Sequence, residues 1–323
     1  MAERFTLPYP PDVEDWLDLR SPYFNASLTG ALFGVHPFET LGDVCAQKLT
    51  GHRTEENDAM RRGTRMEPYI MDVASDMLSK QFVKPLVLHG YGCMLATLDG
   101  VEIDNPDQHL EVKSTTDWVG AEVPRYWWYQ AQSQMGCYGS RETIFAYLDG
   151  RLEVQIAYVE FDEREFERIM NRAEDVMAAL HIGEVPGGID LSADNIAMIH
   201  PVDDGQAVAL PDDAHAMEVL LAYQEASEQM KQAEAAKREA RDQLVRWLGS
   251  HSVGMAGGLE VVSFKAPKPS RGVNVKRLLA DHPELVETYT EDIPNSRRIH
   301  ITKRNVIKVS EKVWPQAEQE EAL

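Results

Sequence analysis

Two different hydrophobic periods run along this chain. Across residues 13–50 apolar positions recur every three or four residues, in VEDWLDLR and then, after a break at Ser21-Pro22, in SLTGALFG and TLGDVCAQKLTG, each closed by glycine. That spacing predicts a helical region. Residues 57–80 predict a second helix whose apolar face carries Met60, Met66, Ile70, Val73, Met77 and Leu78. The period then shortens. FVKPLVLHG, YGCMLATLDG and HLEVKSTT are short, apolar or alternating, and punctuated by Gly, Asn and Pro, as the strands of a hairpin-rich sheet are. PRYWWYQAQSQMGCYG opens on Pro at a permitted first-turn position and closes on Gly, which predicts a helix over 124–139. RETIFAYLDG and RLEVQIAYVEF predict a hairpin across Asp149-Gly150, and FDEREFERIMNRAEDVMAALHIG a long amphipathic helix.

From Glu184 to about Pro211 the chain becomes a Gly, Pro and Asp-rich connector. A domain of residues 1–210 and an extension of 211–323 are expected. The extension opens with a long helix over 213–248, rich in Ala, Glu, Lys and Gln, with a small-residue stripe at Ala222, Ala226, Ala233, Ala236 and Ala240 that leads to Leu244 and Trp247. A stripe of this kind suits a lid over its own domain, or a close-packed pair of helices. LEVVSFK and SRRIHITK predict two strands around the short helical stretch VNVKRLLADHPELVETY, and EKVWPQAEQEEAL a frayed tail.

Composition adds bounds to this picture. With 43% hydrophobic residues in 323, there is enough apolar surface for a real core. No basic start leads into an apolar run and no apolar stretch approaches bilayer length, so a soluble, cytoplasmic protein without a membrane association is expected. Cys45, Cys93 and Cys137 are too few and too scattered for a disulfide framework or a four-thiolate site, and read as buried apolar residues. The net charge of −21 opposes non-specific binding to nucleic acid, which depends on Lys and Arg neutralising phosphates. Partners respond to local potential, however, and a channel lined by cations can coexist with an acidic exterior.

Candidate chemistry concentrates at Asp99, Glu111 and Lys113. Alternation in HLEVKS puts Glu111 and Lys113 on one face of a strand and Val112 on the other, toward the core. Asp99 is expected to end the preceding strand at the LDG turn. Two carboxylates brought this close repel unless a cation separates them, and a hard, oxygen-seeking ion such as Mg²⁺, with Mn²⁺ as a substitute, suits the position. Such an ion polarises a phosphate and acidifies a bound water, while the lysine holds or deprotonates that water. RRGTRMEPYI adds Glu67 on the helix before the sheet, and YWWYQAQSQM adds Gln130 on the helix after it.

The order of these motifs, Trp16 with Arg20, Ala26-Ser27, Gly63 with Glu67, Leu98-Asp99-Gly100, Glu111-Val112-Lys113, and Gln130, Gln132 and Met135, resembles the YqaJ-like viral recombinase family, which includes phage lambda exonuclease, over roughly residues 13–180. The resemblance implies an α+β (α/β/α) nuclease core of the PD-(D/E)xK class, with a central mixed sheet flanked by helices and followed by the C-terminal extension. It implies that Glu67, Asp99 and Glu111, with the Val112 carbonyl, surround two Mg²⁺ ions, and that Lys113 and Gln130 handle the attacking water. Arg20 and Ser27 correspond to positions that grip the 5′-phosphate, a task a serine near a helix start suits. The family's activity is 5′→3′ digestion of linear double-stranded DNA to mononucleotides, leaving a 3′ single strand for a single-strand annealing protein. Its members are ring-shaped homo-oligomers, trimers or tetramers. Asn25 departs from the family's usual Thr. A PD-(D/E)xK endonuclease or a RecB-like or Cas4-like repair nuclease is the alternative of the same fold, although the scattered cysteines argue against an iron–sulfur Cas4-like protein; a non-catalytic DNA-end scaffold is the alternative of another class.

The neighbouring residues have plainer readings. His36, beside Pro37, reads as structural, and His89 and His109 lack metal-ligand spacing. Trp127, Trp128 and Tyr129 point three ways from one helix and read as core packing in preference to base stacking. Gln134 lies one turn after Gln130 on the same face and is expected to support it, while Gln132 points elsewhere.

Overall fold

A computed structural model of the chain describes residues 3–54, 56–116, 122–210, 214–266 and 275–289. It divides into two compact units, Met1–Pro201 and Val202–Leu323. The first unit runs β1 (Arg4–Pro8), α1 (Val13–Arg20), β2 (Phe24–Asn25), a 3-10 turn (Ala26–Leu28), α2 (Thr29–Leu32), α3 (Leu41–Thr50), α4 (Asp58–Leu78), β3 (Phe82–Val83), β4 (Val87–Tyr91), β5 (Met94–Ala96), β6 (Gly100–Glu102), β7 (Gln108–Ser114), α5 (Arg125–Tyr138), β8 (Glu142–Leu148), β9 (Val154–Glu160), α6 (Glu163–His181) and α7 (Ala193–Ile199).

Two sheets result. One has the order β1-β4-β5-β2, the other β3-β6-β7-β8-β9, and the second is mixed because β7 and β8 run parallel while its other pairs are antiparallel. A parallel pair needs a crossover, and α5 supplies it. Period-2 alternation on β7 and β8 decides which helix covers which face. Leu110, Ile144, Ala146 and Leu148 join Ile70 and Ala74 of α4 in one core. Phe145 and Tyr147 join Trp127, Ala131 and Met135 of α5 in another, where Trp127 stacks on Phe145 with centroids 5.6 Å apart. The five-stranded sheet is thus sandwiched between α4 and α5, a mixed α+β architecture. A third core ties α2, α3, α5 and α6 together through residues such as Phe24, Val44, Cys45 and Ile169.

Local chemistry fixes the ends of these helices. Thr40 and Asp43 form a reciprocal capping box that starts α3, and Gly51 ends it with a left-handed backbone, φ 70°. Asn57 caps α4 by accepting from the amides of Ala59 and Met60. Pro68 lies inside α4 immediately after Glu67, so the Thr64 carbonyl loses its helical donor.

Several expectations are revised. On α4, Met60 and Met77 are exposed, and the apolar face consists of Ile70 and Ala74 flanked by Met66, Met71 and Leu78. The β8–β9 connection spans five residues, Asp149 to Glu153, with Leu152 at φ 64°, where a two-residue turn over Asp149-Gly150 was expected. Asp99 does not end a strand of the five-stranded sheet. β5 belongs to the other sheet, and Asp99 sits in the bend just before β6. Cys45 and Cys137 are buried, but Cys93 is only half-buried.

His109 is fully buried on β7, with its ring nitrogens 2.8 Å from the Ser140 hydroxyl and 3.1 Å from that of Thr143. Burial pushes its pKa down to about 3. The folded state therefore holds a neutral imidazole that the unfolded chain protonates below about pH 6.5, so this contribution to stability is complete above pH 6.5 and is lost as pH falls toward 3. Wild type is expected to lose about 2 kcal/mol more than His109→Gln between pH 7.5 and pH 5. Equal losses in urea unfolding of the two proteins would refute this.

The second unit contains α8 (Ala214–Leu248), β10 (Val253–Ala256), β11 (Leu259–Ser263), α9 (Val275–Asp281) and α10 (Glu284–Tyr289). β10 and β11 form a hairpin, so the partner of LEVVSFK is the preceding SVGMA segment, which the sequence reading passed over. Leu248, the last residue of α8, lies against Gly254 of the hairpin, together with Val262. The alanines of the α8 stripe are exposed. The expected strand SRRIHITK and the C-terminal tail lie outside the described residues. Among the described residues no helix is long and apolar enough to cross a membrane.

Candidate active site

A cleft of about 550 Å³ opens at the edge of the first unit, and Arg20, Ser27, Glu67, Asp99, Glu111, Val112, Lys113, Gln130 and Gln134 all line it. β7 provides its floor. Because Leu110 faces α4, Glu111 and Lys113 must face α5, where Gln130 and Gln134 lie one helical turn apart.

The resulting network is tight. Lys113 Nζ donates to Glu111 Oε1 at 2.7 Å and to Gln130 Oε1 at 2.9 Å. The Gln130 amide also donates to Glu111 Oε1, and Gln134 Nε2 donates to Glu111 Oε2 at 2.6 Å and to the Thr97 carbonyl at 3.0 Å. Glu111 is only 4% exposed, so its charge is tolerated because every donor around it is aimed at it. Burial lowers the Lys113 pKa, but the charge and hydrogen bond of Glu111, with Asp99 and Tyr126, outweigh it and hold the ammonium above its ordinary value. Gln132 points elsewhere, donating to the Glu160 carbonyl and accepting from the Asp162 amide.

Asp99 reaches the same place from the other side, accepting from the Val112 amide at 2.8 Å. Its pKa is pushed well above the usual carboxylate range by burial and by the charges of Glu111 and Glu67, against the opposing effect of Lys113 and the Val112 amide. Glu67 is engaged by Lys84, Nζ to Oε1 2.7 Å. Among the described residues no three acidic, His or Cys side chains converge to hold an ion by themselves. Mg²⁺ does not require that, since it keeps several waters and uses one or two carboxylates. An all-oxygen donor set with surplus negative charge around Asp99 fits such an ion. Asp99, Glu111 and the Val112 carbonyl would hold it, with Glu67 nearby.

At the far side of the cleft, Arg20 ends α1 and lies over the Trp16 ring, 4.0 Å from its centroid. Burial lowers its pKa to about 10, and among the described residues no carboxylate pairs with it. Ser27 sits in the three-residue 3-10 turn Ala26–Leu28, so it offers a hydroxyl and not a helix end. Lys48 steadies this corner by donating to the carbonyls of Ser21 (3.1 Å) and Tyr23 (2.5 Å).

Thr97 and Lys84 also line the cleft and escaped the sequence reading. The Thr97 hydroxyl is buried without a hydrogen-bond partner among the described residues, two residues ahead of Asp99, and alternation back from Asp99 could have found it. Lys84 is a loop lysine with no pattern around it. The plainer readings hold elsewhere: His36 Nδ1 accepts from the Glu39 amide, Trp127 and Tyr129 are buried, and half-buried Trp128 carries Arg125 over its ring at 4.3 Å.

No curated protein matches the sequence. Among solved structures, an alkaline exonuclease from Laribacter hongkongensis is similar at 20% identity, covering 53% of this chain and 93% of its own, with a TM-score of 0.45. A phage-related exonuclease from Haemophilus somnus is similar at 10% identity, covering 49% of this chain and 93% of its own, with a TM-score of 0.39. The YqaJ-like viral recombinase domain family matches residues 15–141, a span that ends just past α5 and holds every cleft residue named above. Over those residues the chain is similar to the YqaJ-like viral recombinase domain.

Proposed function

We propose that the chain is a Mg²⁺-dependent 5′→3′ exonuclease acting on linear double-stranded DNA. The observation that carries this reading is the juxtaposition, in one cleft, of the Asp99–Glu111–Lys113–Gln130 cluster with a half-buried arginine, Arg20, that no carboxylate pairs with among the described residues. Divalent metal, when bound at the carboxylates, would supply charge neutralisation at the scissile phosphate and a more acidic water. Lys113, fixed between Glu111 and Gln130, positions that water and offsets the charge developing on the phosphate. Gln134 locks the Glu111 carboxylate in place. Arg20 offers a charge-assisted fork to a terminal phosphate, with the hydroxyls of Ser27 and Thr97 beside it, and this gives the cleft a direction. The similar alkaline and phage-related exonucleases support the same reaction class. The reading extends to a 3′ single-stranded product taken up by a single-strand annealing protein, and to a ring-shaped homo-oligomer that keeps the enzyme on its substrate.

The test is digestion of a linear duplex labelled at each end in turn, beside closed circular duplex. Mg²⁺-dependent loss of the 5′-ended strand as mononucleotides is expected, abolished by chelation, with circles spared. Equal cleavage of circles would replace the exonuclease with an endonuclease.

A further inference from the structure

Gly63 occupies an interior position of α4, the sixth residue of a 21-residue helix. Glycine there weakens a helix relative to alanine, so some other requirement must keep it. Backbone conformation is not that requirement, since Gly63 is not among the glycines with positive φ. Packing is not either. A Cβ built on Gly63 meets no heavy atom within 4 Å. Two other helical glycines show the contrast: at Gly136 the added carbon would fall 2.1 Å from Phe166, and at Gly30 it would fall 2.9 Å from Tyr126. Those glycines let elements of the fold approach one another. Gly63 faces the cleft, one turn ahead of Glu67.

We infer that Gly63 is the crossing point of the bound DNA strand over α4, a positioning residue whose missing side chain lets the sugar–phosphate backbone lie directly on the helix and reach the carboxylates. The inference rests on the nuclease reading above. A side chain at this position would lift the strand away from the helix, and displacement of a substrate by an ångström is enough to cost about 100-fold in kcat/KM. The same side chain strengthens the helix, so stability and activity move in opposite directions.

Gly63→Ala and Gly63→Met separate this from a structural role. Thermal melting, binding of a fluorescein-labelled 5′-phosphorylated duplex in Ca²⁺, and digestion of the same duplex in Mg²⁺ are compared with wild type. Both variants are expected to melt at the wild-type temperature or about 2–4 °C above it. Duplex affinity and kcat/KM fall together, about tenfold for alanine and about 100-fold for methionine, with the loss mainly in KM. Lower melting temperatures would show a packing role and overturn the inference. Wild-type affinity and KM in both variants, with an active wild-type enzyme, would overturn it alone. A wild-type protein that neither binds nor digests duplex ends would sink the nuclease reading and the inference with it.

Discussion

Lys113→Ala is expected to lower kcat by about 10²–10⁴-fold while duplex-end affinity stays within a few-fold of wild type. The ammonium touches two groups, Glu111 at 2.7 Å and Gln130 at 2.9 Å, and both remain in place without it because Gln134 still holds the second carboxylate oxygen. The fold therefore survives, and the loss is one of positioning at the reacting phosphate. Glu111→Gln and Asp99→Asn are expected to reach at least the same loss, because each removes a negative charge from the proposed metal position with little change of shape. Glu111→Ala is a poorer test, since it strands Lys113 and two buried amides at a cost of about 1–3 kcal/mol for each unpaired group. Single-turnover digestion with an independent melting curve separates chemistry from folding. Wild-type turnover in Lys113→Ala would remove the mechanism given above.

Arg20→Ala should act on a different quantity. Wild type is expected to prefer a 5′-phosphorylated end over a 5′-hydroxyl end, and the variant should lose about 2–3 kcal/mol of that preference, roughly 30- to 150-fold, with kcat on phosphorylated ends falling less. The argument rests on an unusual environment. A half-buried guanidinium over the Trp16 ring with no carboxylate partner among the described residues is incompletely solvated, and an incoming phosphate would restore what burial took away. Arg20→Lys should recover only part of the preference, because a point charge lacks the planar fork and stacks less well on tryptophan. Competition between the two duplexes in one reaction reads the ratio directly. An unchanged ratio in Arg20→Ala would break the assignment of direction.

Much of this site was legible in the sequence because it is built from local periodicities. The two-residue alternation of HLEVKS placed Glu111 and Lys113 together, and the four-residue step from Gln130 to Gln134 placed both amides over them. Closing glycines likewise marked the ends of α3 and α5, at Gly51 and Gly139. What the sequence hid were relations set by tertiary packing. Asp99 looks like the end of a strand, since LDG is a sound turn signal, but β5 leaves for the other sheet and the aspartate arrives as the lead-in to β6. The apolar face of α4 was misread at Met60 and Met77 because methionine at helical spacing carries the same pattern whether or not the sheet extends far enough to cover it. Lys84 reached Glu67 through a loop, where no period operates. In the second unit LEVVSFK was read as a strand, whereas the SVGMA segment that pairs with it was passed over, because its small residues and glycine carry no alternation.

Pro68 gives the cleft a mechanical property. By deleting one rung of the α4 ladder just after Glu67, it divides the helix into a leading part, residues 58–67, and a trailing part that contains the helix's buried residues Ile70 and Ala74. The trailing part is riveted to the sheet and opens only when the sheet does. The leading part, which bears Gly63 and Glu67, has little buried surface and one fewer hydrogen bond, so its local unfolding costs far less than global unfolding. One wall of the cleft is in this sense a hinged flap on a rigid frame, able to loosen and re-form while the floor that carries Glu111 and Lys113 stays still.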